Sequence, residues 1–515
     1  MSLNAFLKKV LPCAFTAVSA ISAANGLLLL TVPHKADAAD RRDWTTYTNM
    51  NYVTSFAEGD REVYVGTTGG VRRFDLFTGR EGRPLTTSDG LRDNRVRRLA
   101  YDRRMGDLYI DTQAGVDRWG TGSEMFFPSA RFPEDAPNPS EAIRGAFNPN
   151  TLFLKPGLFL QDDEIRDRRF RTYRITGYLF DRWNHLWVGT WGLGVGLADV
   201  RDRMLDLKAF GPEESNVTAF VTDGDDLWIG GLEGNRSSFE VRRRFDAGSG
   251  GARGITRYNR REGTWTTYKE GEVFGLDGAD VLAILPDGGS VWFATFSGLV
   301  RYDKGSDTWR TYRNLRGVRG TRITDAVGDG KWLWIGTPTG LTLMDVNGDS
   351  SLSIAGGKDA YIYDLEKGAG FLWAGTSRGV FRCPAGTSSW KRFLDADGDL
   401  SGDVTAIAAH GDDVWFAVLS PPGLVQWNAR DDRTTRRPLP ELGGRPIAGL
   451  SADARHVWAA TEIGAMRLDR NTGAWRRFTR IDGLANDQVQ AVLREADGVW
   501  FGTTEGISHL KGDGD

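Results

Sequence analysis

Cysteine is almost missing. In 515 residues only Cys13 and Cys383 occur. Cys13 lies in a segment expected to be removed on export, which leaves one thiol and no internal disulfide. A Cys-x-x-Cys-His haem attachment and a cysteine zinc knuckle are excluded with it. Histidine is scarce as well: His185, His410 and His456 each precede an expected strand, in what reads as a surface turn, and His509 lies near the end of the chain. No Gly-x-Ser-x-Gly elbow accompanies them, so a serine-histidine-acid hydrolase has no footing. An excess of basic charge is also lacking. Lys plus Arg total 65 against 68 Asp plus Glu, a net charge of -3. No global positive field draws the chain to nucleic acid or anionic membrane.

Long apolar runs are absent too, except at the start, where Val10 to Val32 follows Lys8 and Lys9 and precedes Ala36-Asp37-Ala38. Positive end, apolar stretch and small-x-small site make residues 1–38 an expected signal peptide, cleaved after Ala38, and place the mature protein in the periplasm or outside the cell. The run of 23 residues is also long enough to span a bilayer, so an uncleaved membrane anchor stands as the alternative. Lipidation at Cys13 fits poorly, because the apolar run follows the cysteine instead of preceding it.

What is present is glycine, 65 residues, and tryptophan, 18. They recur in one motif: Val63-Tyr64-Val65-Gly66-Thr67, Leu186-Trp187-Val188-Gly189-Thr190, Leu333-Trp334-Ile335-Gly336-Thr337, Leu372-Trp373-Ala374-Gly375-Thr376 and Val499-Trp500-Phe501-Gly502-Thr503. Weaker copies centre on Tyr109, Trp228, Trp292, Trp415 and Trp458, with a degenerate one at Phe153. Spacings of mostly 39 to 45 residues match a four-stranded propeller blade. Between Val281 and Tyr312 the order is an apolar run, a turn at Asp287-Gly288-Gly289, the tryptophan strand, a third strand from Gly298 and a Thr-Trp-Arg-Thr-Tyr strand. Short alternating strands punctuated by Gly and Asp are hairpin-connected and antiparallel.

The fold class implied is all-β: a β-propeller of about eleven four-stranded blade motifs over residues 39–515. Two rings are favoured over one large ring, with a boundary near the 231–254 insertion; a chain that leaves one ring for a second and then returns also fits. Asp43-Trp44-Thr45-Thr46-Tyr47 reads as an outer strand without a blade, and the last motif lacks an outer strand. The N-terminal strand is therefore expected to complete the last blade and remove its open edge. The strand tryptophans are expected to pack blade on blade, not to stack on sugars.

Asp482-Gly483-Leu484-Ala485-Asn486-Asp487-Gln488-Val489 and Asp89-Gly90-Leu91-Arg92-Asp93-Asn94-Arg95-Val96, with the Leu-Trp-x-Gly-Thr…Gly-Leu core, resemble the two-component regulator propeller repeats in the periplasmic halves of bacterial hybrid sensor kinases. The resemblance covers residues 43 to 510, without the kinase and membrane portions of those sensors. It implies a periplasmic ligand-recognition module.

Two loop features carry candidate chemistry. Asp395, Asp397, Asp399 and Asp403 alternate as in calcium loops of integrin-type propellers, with Leu400 where a glycine is expected; a calcium site and a solvated acidic turn are the two readings. Asp345, Asn347 and Asp349 form a shorter version. Arg236, Arg242, Arg243, Arg244 and Arg253 cluster in the Gly/Ser-rich insertion, where they suit a carboxylate or phosphate ligand, or else form a solvated loop. No catalytic residue is expected. The function expected is a non-catalytic, sensor-like binding module for a small-molecule, glycan or protein ligand, with no nucleic-acid partner. The alternative is a propeller lyase or hydrolase acting on polysaccharide or a cell-envelope polymer.

Overall fold

In the repeat 281–312, every residue of the second strand, Ser290–Thr295, is buried, because both faces of this apolar strand are covered by neighbouring sheets. The threonine that ends it anchors the following turn. Thr295 Oγ1 donates to Gly298 O (2.8 Å) and accepts from Ser297 N (3.2 Å). Gly298 has φ +135°, and a Cβ there would lie 2.3 Å from Tyr312 O, so only glycine fits. The same Thr-to-Gly bond recurs at Thr67, Thr337, Thr376, Thr461 and Thr503, which accounts for the Gly-Thr…Gly spacing of the motif.

The computed structural model describes residues 43–133, 151–199, 201, 203–232, 254–276, 278–313, 322–346, 351–353 and 359–514. The chain separates into two units, Met1–Asp37 and Ala38–Asp515. The described residues of the second unit are all-β and form ten antiparallel sheets. In chain order these are sheet A (53–75), B (96–129), C (158–208), D (216–269), E (281–312), F (325–353), G (362–393), H (404–438), I (447–478) and J (489–511). Trp44–Tyr47 is the fourth strand of sheet J, paired Trp44↔Leu510 to Tyr47↔Ile507, as expected from the sequence. Trp44 is fully buried and stacks on Phe501 at 5.6 Å.

The motif aromatics set the order of the sheets. Trp228 of sheet D packs with Val291 and Phe293 of sheet E, and Trp292 of E with Leu333 and Ile335 of F. Trp334, Trp373, Trp415 and Trp458 each pack in the same way on the next sheet. Trp500 of sheet J packs on Leu227 and Ile229 of sheet D, so the order D to J returns to its start. Hydrogen bonds between first strands follow that order: Thr405 Oγ1 donates to Ile447 O (2.8 Å), and Ser451 Oγ accepts from Arg494 N (3.0 Å). Asp325 and Asp364 accept from the backbone N–H of Leu365 and Ile407 in the sheet that follows each. The second group is linear: Trp187 of sheet C packs on Val63 and Val65 of sheet A, and Tyr64 of A on Leu108 and Ile110 of B.

The chain thus leaves sheet J after Tyr47, builds A, B and C, and returns to build D through J. The outgoing and returning connections lie side by side. Met50 N donates to Phe210 O (3.1 Å), Phe210 N to Asn51 Oδ1 (2.9 Å) and Asn49 Nδ2 to Glu213 O (2.6 Å). The 231–254 insertion joins two adjacent strands of sheet D, paired Asp226↔Asn259 to Ile229↔Thr256, while the change of group falls at these connections. Sheet C has six strands, because the hairpin Leu158–Gln161 and Glu164–Asp167 is added to its first strand, Thr172–Phe180. Phe153, read from sequence as a degenerate blade centre, instead forms an isolated bridge to Met204. Its run supplies only the half-buried hairpin strand Leu158–Gln161, which is not sandwiched as a blade strand would be. In sheet A the outer strand is reduced to the bridges Val71↔Leu85 and Phe74↔Glu81.

Candidate functional site

A cleft of about 630 Å³ opens where sheets C and D face each other beside the returning connection. It lies among the outer-strand-to-next-blade connections and the turns between second and third strands, the side on which propeller loops converge. Its walls are the added hairpin and the turn after it, the Gly192-Leu193 turn, Asn51, Glu213 and the segment from Thr267 to Glu272.

The hairpin turn is held by Asp167. Its carboxylate accepts from Arg169 N (2.8 Å), Arg171 N (3.0 Å) and Arg171 Nε (2.7 Å). Burial works to raise the Asp167 pKa, but the Arg171 side chain and the two backbone N–H groups outweigh it and hold the carboxyl below its usual value. Arg171 also pairs with Glu272, which ties this turn to sheet D. Opposite, Lys269 Nζ lies 2.8 Å from Glu213 Oε1, both side chains 9% exposed. Burial alone would lower the lysine pKa; the Glu213 carboxylate, with Tyr173 and Tyr52, more than offsets it, so the ammonium stays charged. That ammonium lies 5.4 Å from the centre of the Tyr173 ring, and the Tyr173 hydroxyl is pushed upward, first by burial.

With the acidic groups committed, the cleft retains donors. Among the described residues, the Arg168 and Arg169 guanidiniums that line it have no ion-pair partner. Asn51 Nδ2 and Thr267 Oγ1, both buried, have no hydrogen-bond partner either. Arg169 reaches across Gly271 at van der Waals contact: a Cβ on that residue, whose φ is +77°, would lie 1.9 Å from Arg169 Nη1. Two exposed aromatics belong to the same loops, Phe170 at 82% exposure beside the arginine pair and Phe274 at 98%. Unpaired donors, a buried ammonium and exposed rings together suit a ligand that carries negative charge and a flat or apolar face.

The architecture has a solved counterpart. PorZ, an essential bacterial surface component of the type-IX secretion system of Porphyromonas gingivalis, is similar with a TM-score of 0.54 at 13% identity, covering 91% of this chain and 87% of that one. The extracellular domain of the putative hybrid two-component system BT3049 from B. thetaiotaomicron is similar with a TM-score of 0.45 at 17% identity, over 90% and 68% of the two chains. At such identities the likeness to PorZ establishes the fold alone. No family model matches the chain, and no curated protein matches it.

The residues singled out in the sequence fall elsewhere. Arg236, Arg242, Arg243, Arg244 and Arg253, like Asn347 and Asp349, lie outside the described residues. The four aspartates expected as calcium ligands take separate directions. Asp395 accepts from the backbone N–H of Asp399 (2.8 Å) and Leu400 (2.9 Å), Asp399 pairs with Arg436, and Asp403 accepts from the Tyr363 hydroxyl at 3.0 Å. Asp397 is exposed, and Leu400 is buried in the core between sheets G and H, which explains a leucine in place of glycine. Asp395 and Asp397 border a hollow of about 710 Å³ with Arg382, Lys391, Arg392 and Arg433. His410 is exposed and His185 half-exposed, in keeping with surface turns. His456 is not. It is fully buried, its ring packed edge-on to Trp458. The Arg168-Arg169 pair was hidden in a region that reads as a weak blade; the charge density of Arg166-Asp167-Arg168-Arg169-Phe170-Arg171 was the available signal.

Proposed function

We propose that this chain is an exported, non-catalytic recognition protein in which sheets D to J form one seven-bladed ring and sheets A to C a second, partial one, and that it binds an anionic ligand in the cleft between sheets C and D. The cyclic packing of the strand tryptophans supports the ring reading. The observation that carries the ligand class is the set of unpartnered donors, Arg168, Arg169, Asn51 Nδ2 and Thr267 Oγ1, gathered around a buried lysine. A paired guanidinium fork matches a carboxylate or phosphate better than it matches a neutral hydroxyl. Among the described residues no helix is long and apolar enough to cross a membrane. Export and the periplasmic or secreted location rest on the N-terminal pattern of residues 1–38.

The test is a calorimetric and thermal-shift comparison of the mature protein with uronic-acid oligosaccharides, small dicarboxylates and their neutral counterparts. Acidic compounds should bind and neutral ones should not. An Arg168→Ala/Arg169→Ala variant should lose about tenfold or more in affinity, since charge-assisted hydrogen bonds contribute about 1.5–3 kcal/mol each. Equal binding of neutral and acidic compounds, or unchanged binding by the double variant, would overturn the assignment.

A further inference from the structure

Outside the cleft, a second group of side chains lacks an explanation. His456 begins the second strand of sheet I and is 0% exposed, yet neither Nδ1 nor Nε2 has a hydrogen-bond partner. A buried imidazole with both nitrogens idle forgoes bonds it would make in water. Two carboxylates stand beside it, Asp453 from the turn before the strand and Asp513 from the segment after sheet J. One ligand atom from each of the three lies within 4.8 Å of the others, and among the described residues no other group of three meets that condition.

We propose that Asp453, His456 and Asp513 hold a divalent transition-metal ion of the zinc class, which clasps the C-terminal segment onto sheet I. One imidazole nitrogen and two carboxylate oxygens form a borderline donor set that suits zinc better than calcium or magnesium, and three protein ligands leave a fourth position to water. The imidazole is ready to coordinate. Neither of its ring nitrogens is engaged by a hydrogen bond. The carboxylates are braced from outside. Arg494 Nε donates to Asp453 Oδ2 at 2.8 Å, Arg494 also pairs with Asp513 Oδ1, and Asp453 Oδ1 accepts from the backbone N–H of Arg455 and His456. Hydrogen-bonded outer groups of this kind orient metal-ligating carboxylates. Of the surrounding guanidiniums, Arg470 pairs with Asp413 and Arg455 lies 3.9 Å from Asp469, while Arg494 and Arg467 face the site itself. Asp513 and Gly514 are already carried back onto sheet I, since Arg467 donates to Asp513 O and Arg476 to Gly514 O. A bound ion would lock that return.

The mature protein, stripped with chelator, should take up one equivalent of Zn²⁺, gain melting temperature on doing so, and show ligand-field bands with Co²⁺ indicating nitrogen and oxygen ligation. Asp513→Asn changes a half-buried side chain on the terminal segment and should leave the fold intact while weakening Zn²⁺ by about tenfold or more, the scale on which altered metal shells act. His456→Gln should abolish the Co²⁺ spectrum. Wild-type protein that takes up no Zn²⁺, or uptake that both variants retain unchanged, would overturn the site. Calcium serves as the contrast ion, and a shift with Ca²⁺ but not with Zn²⁺ would overturn it too.

Discussion

Sheets A to C and sheets D to J are built from the same motif, yet among the described residues only the second group packs back onto itself. The difference lies in what each terminal sheet presents. In sheet J the face beyond Trp500 meets sheet D, and the core continues. In sheet B the residues on one face of the second strand, Leu108 and Ile110, meet sheet A, while the alternate residues Asp107, Tyr109 and Asp111 face the other way. There Arg98 pairs with Asp111 and Arg118 with Asp107, both at 3.0 Å. Sheet B thus carries Tyr109, flanked by two ion-paired aspartates, at the position where most of its siblings carry tryptophan. At the other end of this group, the added hairpin continues sheet C from its first strand. Among the described residues, one motif therefore occurs both in a group whose packing order returns to its start and in one whose order does not.

The largest effect expected from breaking the closed group comes from deleting the strand Trp44–Tyr47. That removes a fully buried tryptophan and leaves Ile507–Leu510 as an open edge. Denaturant unfolding should show a loss greater than the ~3–5 kcal/mol of a single large aromatic truncation. A loss below that range would mean that the D-to-J group does not depend on its N-terminal strand. Next in size is a matched pair of truncations. Trp373→Ala, inside the closed group, should cost ~3–5 kcal/mol, and Tyr109→Ala, at the ion-paired end, less than about 1 kcal/mol. Similar costs at the two positions would erase the distinction drawn between the groups.

The smallest effect is read in pH. Glu366, on the first strand of sheet G, is pushed up to about 8 by burial, with Asp364 adding to the shift. A raised folded-state value means that the folded chain holds the proton more tightly than the unfolded chain does. The contribution is fully present below the ordinary glutamate value of 4.5 and is lost as pH rises from there through about 8. Glu366→Gln should flatten that part of the stability-against-pH curve. A slope unchanged in the variant would assign the loss to another group.

The repeat was legible because each tryptophan and each Thr-Gly turn does the same work wherever it occurs. The swap of the N-terminal strand could be read from two incomplete ends, Trp44 without a blade and Leu510 without an outer strand. The order of the sheets could not, since Trp187 and Trp500 stand in the same motif and differ only in which sheet covers them. Phe153 misled for a related reason: an apolar run of the right length can serve a hairpin as readily as a blade, and spacing alone does not distinguish the two. The cleft was still less visible. Arg168, Asn51 and Lys269 come from three distant segments and meet only because the connections 48–51 and 209–213 run together.

The pairing of Trp44–Tyr47 with the last sheet also fixes a sequence of events during synthesis. The first of the described strands in chain order belongs to the last sheet, and every residue of sheets A through I must be produced before its partner Ile507–Leu510 exists. Within sheets A, B and C each strand pairs with one close in the chain, while sheet J waits for a partner strand more than four hundred residues away, Trp44 against Leu510. Until then the strand Trp44–Tyr47, with its two aromatic rings, remains unpaired, so the interval between its emergence and its capture is the period in which this protein most needs protection from association with other chains.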